Sequence, residues 1–185
     1  MQVIIMGPPG AGKGTQAKKI SEKYRIPHIS TGDILRAEVE KGSELGGKVK
    51  DIMERGELVA DEIVLGLVEK RVVEPDCGRG FILDGFPRTI PQAEGLDKIL
   101  EKHGTAGIWV IDLVVPEEEL LRRLLARKRP DDTESTIRNR IRVYHEKTAP
   151  LIHYYEKKKA LFSINGDQPI GKVYLEIDSV LTNIR

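Results

Sequence analysis

Short runs of consecutive apolar residues alternate along this 185-residue chain with longer stretches in which apolar residues recur every three or four positions. The first kind of run predicts buried strands and the second amphipathic helices. Gln2–Met6 (QVIIM) is the first strand, and Lys13–Tyr24, with Ala17, Ile20 and Tyr24 at helical spacing, the first helix. Pro27–Ile29 is a short second strand. Helices follow over Asp33–Lys41, which Gly42 stops, over Leu45–Arg55 and over Asp61–Val73, with Gly56 between the last two. Gly80–Asp84 is the third strand, Gln92–His103 a helix, and Ile108–Val115 (IWVIDLVV) the fourth strand. Pro116 opens a helix to about Lys128. Thr133–Lys159 is helical but interrupted, because Pro150 lacks an amide hydrogen and must kink or break it. Leu161–Ile164 and Ile170–Ile184 are the last strand and helix.

Strands that are continuous apolar runs, separated by helices, predict an α/β fold with a parallel sheet covered on both faces. The stretch from about Ser30 to Val59 is helical and longer than one crossover needs, so a small separate lobe is expected there. Gly42, Gly46, Gly47 and Gly56 are expected to be its flexible points.

Composition narrows the function classes. Lys plus Arg is 30 and Asp plus Glu 29, a net charge of +1, so no global field favours nucleic acid. Cys77 is the only cysteine, which excludes an internal disulfide and a multi-cysteine zinc site. No leader pattern and no run of membrane-spanning length is evident, so a cytoplasmic protein is expected.

The strongest chemical signal is GPPGAGKGT, residues 7–15, with four glycines and two prolines in nine positions. Such a stretch is neither strand nor helix interior. Gly7, Gly12 and Lys13 have the G-x-x-x-x-G-K spacing of a phosphate loop, and the stretch leaves a strand and opens a helix. Glycines let backbone N–H groups turn inward around phosphate oxygens, and the helix N-terminus points at the same place. Lys13 adds a mobile charge. The hydroxyl residue expected after the lysine is replaced by Gly14, with Thr15 next, so a magnesium ion is expected to be held mainly by phosphates and water.

FILDGFPR places Asp84 at the C-terminal end of a strand, the ligand edge of an open α/β sheet. A carboxylate there can hold magnesium through water. Arg88 follows in a stiff loop, and its forked guanidinium suits phosphate oxygens. Arg123 and Arg127 share one helix face, as do Arg138 and Arg142. Arg122, Arg138 and Arg142 read as a solvated basic face. The loop KRPDDT, with both signs of charge, would make a lid over phosphates. His28, His103, His145 and His153 show no metal spacing and read as core or surface residues.

With these residues assembled, the chain resembles the adenylate kinases, of the form with a shortened lid. The resemblance runs over essentially the whole length through GPPGAGKGT, ISTGDILR, GELVADE, ILDGFPRTIPQA, RLLARKRPDDTESTIRNR and YHEKTAPL, in that order. It implies a phosphate-loop NTPase-type fold, a five-stranded parallel sheet flanked by helices. The core would be 1–29, 60–127 and 138–185, with a helical AMP-binding lobe at 30–59 and a short lid at 128–137. It implies the reaction ATP + AMP ⇌ 2 ADP with Mg2+, no zinc, and a monomer with no nucleic-acid or membrane partner. Gly10, Ala11, Gly12, Lys13, Gly14 and Thr15 would hold the ATP phosphates, with Arg123 against the base and Arg127 on the phosphates. Thr31, Arg36, Glu57, Leu58, Val59, Gly85, Phe86, Pro87, Arg88 and Gln92 would form the AMP site, Gln92 reading the adenine edge. Arg129 and Arg140 would clamp the reacting phosphates, making Lys13, Arg88, Arg127, Arg129, Arg140 and Asp84 the catalytic set. Asp131 and Asp132 would pair with arginines as the lid shuts. Kinases of UMP or CMP are the near alternative. An ATP-binding switch protein and a nucleic-acid-dependent ATPase are more distant ones.

Overall fold

In the computed structural model, residues 1–104, 107–127 and 132–184 are described. Five strands form one parallel sheet: β1 (Gln2–Met6), β2 (His28–Ser30), β3 (Phe81–Asp84), β4 (Trp109–Val114) and β5 (Leu161–Asn165), in the order β2-β3-β1-β4-β5. Every strand pairing is parallel, as continuous apolar runs separated by helices demand.

The two faces of the sheet follow from the two-residue period of a strand. Val3 and Ile5 of β1 join Ile82, Ile111 and Leu113 on one face, where Ala17 and Ile20 of α1 (Lys13–Tyr24) and Val173, Ile177 and Leu181 of α9 (Ile170–Asn183) cover them. Ile4 and Met6 join Phe81, Leu83 and Val110 on the other face. That face is covered from α4 (Asp61–Val72), α5 (Ile90–Lys102) and α8 (Pro150–Lys157) by Val64, Val68, Leu96, Leu100, Leu151 and Tyr155. A small third cluster of Leu124, Ile137 and Ile141 joins α6 (Glu117–Arg127) to α7 (Glu134–Val143).

The expected elements are present, with ends displaced by no more than two residues. Strand β2 runs to Ser30 rather than Ile29, and the next helix, α2 (Thr31–Glu40), starts there because the Ser30 hydroxyl accepts the Asp33 N–H as its cap. The interruption ahead of Pro150 is a π turn over Tyr144–Thr148, in which Ala149 N–H reaches back five residues to the Tyr144 carbonyl. Widening the turn there lets the chain continue into α8 with proline at its first position, where the missing N–H is tolerated. A 3-10 turn over Pro75–Arg79 carries no period that would have revealed it. Cys77 is buried in it, and burial pushes its thiol up to about 11, as befits a packing residue.

The segment 30–59 contains α2 and α3 (Glu44–Glu54), which pack on each other. Gly42 and Gly56 have positive φ and end the helices. Gly46 corrects the expectation of flexibility: it is buried inside α3, and a Cβ there would lie 2.1 Å from the Glu38 carbonyl oxygen of α2. Gly47 is also inside the helix but faces open space. Gly46→Ala is therefore expected to destabilise the protein by about 1–3 kcal/mol through overpacking. Gly47→Ala should instead stabilise it by up to about 1 kcal/mol. Urea midpoints of the two variants shifting in opposite directions is the expected result.

Candidate active site

The order of strands places the C-terminal end of β1 between those of β3 and β4. In register, Ile5 lies beside Asp84 and Met6 beside Asp112, so two carboxyls flank the point where the chain leaves β1. Such a switch point, at the carboxyl edge of a parallel sheet, is where this architecture takes ligands.

The glycine stretch turns back over that edge. Gly7, Gly10 and Gly12 all have positive φ, a region closed to most side chains. At Gly7 a Cβ would meet the Leu113 carbonyl at 2.8 Å, and at Gly10 the Leu120 carbonyl at 3.0 Å. The loop is thereby pressed onto β4 and α6. Helix α1 then begins with no side-chain cap and no acidic residue in its first turn. Its first N–H groups, which have no partner within a helix, are left for an anion.

Lys13 lies at the floor of the cleft and donates to the carbonyls of Gly7 and Pro8, both at 2.8 Å. Its pKa is lowered to about 8, chiefly by burial, with Arg88 and Arg127 acting in the same direction and Asp84 and Asp112 opposing them. Asp84 faces the start of α1 closely: a Cβ on Gly14 would touch its Oδ2 at 3.4 Å. A side chain at position 14 would stand in contact with that carboxylate.

On the other side of the cleft, the Thr31 hydroxyl donates to the Gly85 carbonyl at 2.9 Å, and Arg88 Nε donates to the same oxygen at 2.7 Å. Arg88 is held at its backbone too. Its N–H donates to Gln92 Oε1 at 2.8 Å, and its carbonyl accepts the Thr148 hydroxyl at 2.9 Å. Gln92 is 2% exposed and its Nε2 donates to Asp61 at 2.7 Å, so its amide ties the Arg88 loop to the start of α4. Arg36 pairs with Asp33. At the far end, Arg123 Nη1 donates to the Gly166 carbonyl at 3.1 Å, while Glu119 holds its Nε at 2.6 Å. Arg122 and Arg123 together hold the Glu119 carboxyl well down, to about 2. Asp132, its side chain 1% exposed, bridges Arg127 (2.9 Å) and Arg140 (2.8 Å). Arg122, Arg138 and Arg142 make pairs with Glu119, Glu134 and Glu146 and are themselves exposed, in keeping with a solvated basic face.

The glycine loop and the two sides converge on one cleft of about 1440 Å³. Gly10–Thr15, Thr31, Arg36, Glu57–Val59, Asp84–Arg88, Gln92, Arg123, Arg127 and Arg140 all contribute to it. Arg129 and Asp131 lie outside the described residues. The cleft exceeds the roughly 300–1,000 Å³ of a single small-ligand pocket.

Residues 5–160 match the family model described as adenylate kinase. The chain belongs to the adenylate kinase family. An adenylate kinase of Archaeoglobus fulgidus is 47% identical, with all of both chains covered. One of Magnetococcus marinus is 47% identical over 98% of this chain and all of its own. An adenylate kinase 1 of Synechocystis is 49% identical over 97% of this chain and 96% of its own. Covering these 185 residues against the A. fulgidus relative takes 216 aligned positions, so at least 31 of them face a gap in this member of the family. The Synechocystis alignment takes only 179.

Several residues in or beside the cleft of this adenylate kinase family member escaped the sequence reading. Asp112 is 3% exposed, its Oδ1 makes no hydrogen bond among the described residues, and burial raises its pKa against the pull of Lys13. Its signal was a lone charge in the run IWVIDLVV. His28, read as core or surface, lines the cleft with Nε2 3.2 Å from Asp84 Oδ2. Asp61 and Thr148 act through Gln92 and Arg88, and Gly166–Ile170 bring the β5–α9 loop to the rim. Nothing in their local spacing marks them.

Among the described residues, no three His, Cys, Asp or Glu side chains cluster to hold a metal ion. A divalent ion brought in with a polyphosphate fits this donor set. Asp84 is a single carboxylate beside the start of α1, suited to bonding an ion's water rather than to caging the ion. No helix among the described residues is long and apolar enough to cross a membrane.

Proposed function

We propose that the chain catalyses the reversible transfer of the γ-phosphoryl group of ATP to AMP, giving two ADP. An AMP phosphate oxygen bonds to the γ-phosphorus as the bond from that phosphorus to the β–γ bridging oxygen breaks, with no covalent enzyme intermediate. The observation that carries this reading is one cleft with two differently built ends and cations between them. The phosphate loop and Lys13 suit the triphosphate, and Arg123 with the Gly166 loop suits the donor base. Thr31, Arg36, Glu57–Val59, Gly85–Arg88 and Gln92 suit a monophosphate nucleotide. Arg88, Arg127 and Arg140 suit the phosphates that meet between them, and the family resemblance would add Arg129.

Phosphoryl transfer needs alignment, charge neutralisation and exclusion of water more than it needs a protein nucleophile. Lys13 and the arginines supply fixed positive charge in a partly dehydrated cleft, where it acts most strongly. Mg2+ would neutralise charge on the phosphates, with Asp84 bonding its water. Segments 30–59 and 128–137 would act as acceptor lobe and short lid, closing over both nucleotides. A cytoplasmic monomer needing no zinc completes the reading.

Purified protein with Mg2+ and ATP, offered AMP, UMP, CMP, GMP or no acceptor and followed by phosphorus NMR, tests it. Fast reversible ADP formation with AMP is expected. Faster transfer to UMP or CMP would move the chain to the neighbouring kinases, and no acceptor-dependent transfer would leave a binding role.

Lys13 gives the reading a pH signature. With its pKa near 8 in the free protein, it is charged below that pH and loses charge above it. ATP affinity should therefore be flat up to about pH 7.5 and fall as pH rises through 8, by at most about tenfold per unit. Phosphates favour the protonated form, so binding above pH 8 should take up protons. Titration calorimetry in buffers of different ionisation enthalpy reads both, and Lys13→Met should abolish the dependence.

A further inference from the structure

The C-terminal end of α3 is received by α7 across a polar seam. The Thr136 hydroxyl donates to the Glu54 carbonyl at 2.9 Å, Asn139 Nδ2 to the Arg55 carbonyl at 2.6 Å, and Arg140 Nη2 to the Met53 carbonyl at 3.2 Å. Three consecutive carbonyls at a helix end are thus met by donors from another helix. The Met53 carbonyl also accepts the Gly56 N–H at 3.0 Å, whereas those of Glu54 and Arg55 are of the kind a helix end leaves without partners of its own, where its partial negative charge lies. The backbones come very close: a Cβ on Gly56 would stand 2.9 Å from the Thr136 carbonyl oxygen.

The apolar residues on the two sides belong to different cores. Val49, Ile52 and Met53 of α3 pack with the sheet-side cluster, whereas Ile137 and Ile141 of α7 pack with Leu124. A junction made of hydrogen bonds between separately packed units opens and closes more readily than a shared apolar core, because water replaces each bond when it opens. Directly after the seam comes Glu57–Val59, which lines the cleft.

We infer that Thr136 and Asn139 are positioning residues for the acceptor nucleotide: by capping α3 from outside, they hold 53–59 in the place where AMP meets it. The inference rests on the proposed acceptor site. Neither side chain needs to touch substrate. Arg140, bound to Asp132 and through it to Arg127, extends the same junction toward the donor phosphates.

Steady-state kinetics of Thr136→Val, Thr136→Ser and Asn139→Ala, with AMP and ATP each varied, test it. Valine keeps the packing and loses the hydroxyl, whereas serine keeps the hydroxyl. Thr136→Val and Asn139→Ala are expected to raise KM for AMP about 3- to 10-fold, as one hydrogen bond warrants, with KM for ATP within about twofold. Thr136→Ser should resemble wild type. An unchanged KM for AMP, an equal rise in both KM values, or serine behaving like valine would overturn the inference. Asn139, half-buried at the surface, keeps the test open if Thr136→Val folds poorly. Wild-type protein without AMP-dependent turnover would remove the acceptor-site reading and this inference with it. Active wild type with indifferent variants would remove this inference alone.

Discussion

Lys13→Met should lower kcat/KM by about a thousandfold or more, while the free protein melts no lower than wild type. The loss follows from the ammonium's place at the start of α1, where it can follow charge as it moves between phosphates; removing one such fixed donor costs about 10²–10³, and a transition-state cation about 10³–10⁵. The stability half follows from linkage. Burial holds the folded pKa near 8, below the unfolded value of about 10.4. Between those values the unfolded chain binds more protons, so this group's contribution to stability rises with pH through that window. Below pH 8 the folded state carries a buried charge that methionine removes. Of the two carbonyls freed of Lys13, that of Gly7 belongs to a residue lining the cleft. Calorimetric melting at pH 7 beside the kinetics separates the two effects. A large drop in melting temperature would mean that Lys13 holds the loop together rather than serving the phosphates.

Arg88→Lys should be nearly as damaging, lowering kcat/KM by about 10²–10³, although the charge is retained. Three hydrogen bonds aim this arginine: its N–H to Gln92, its carbonyl from Thr148 and its Nε to Gly85. With Nε anchored, the outer guanidinium nitrogens remain for phosphate oxygens. Lysine can make the anchor or the phosphate contact but not both. Arg138→Lys, on an exposed i,i+4 pair, is the control and should change nothing measurable. Near-normal turnover of Arg88→Lys, with circular dichroism unchanged, would reduce Arg88 to a diffuse positive charge.

The contrast between Arg88 and Arg138 also shows what the sequence made legible. Strand and helix identities were written in apolar periodicity, and the phosphate loop in an extreme local composition. The parallel sheet followed from both. Asp112 hid inside a run that reads as pure core, because a periodicity argument averages over single charges. Asp61 and Thr148 hid because their task is to aim another residue across a distance of 31 to 60 positions, a relation the local sequence does not encode. Gly46 shows the opposite failure. Composition marked it as a hinge, whereas only the neighbouring helix reveals that it is a contact point.

Asp132 has a consequence for traffic through the cleft. Its buried carboxylate already occupies Arg127 and Arg140, so at the proposed site incoming phosphates would compete with an internal anion instead of meeting bare cations. Each departing nucleotide, likewise, would leave behind arginines with a partner at hand. On the proposed reading the protein thereby carries a built-in substitute for its own ligand, one that would weaken the hold on product and on stray inorganic anions alike. For a reaction that must run readily in both directions, release is as demanding as capture, and a resident competitor shortens the stay of whatever has just been made.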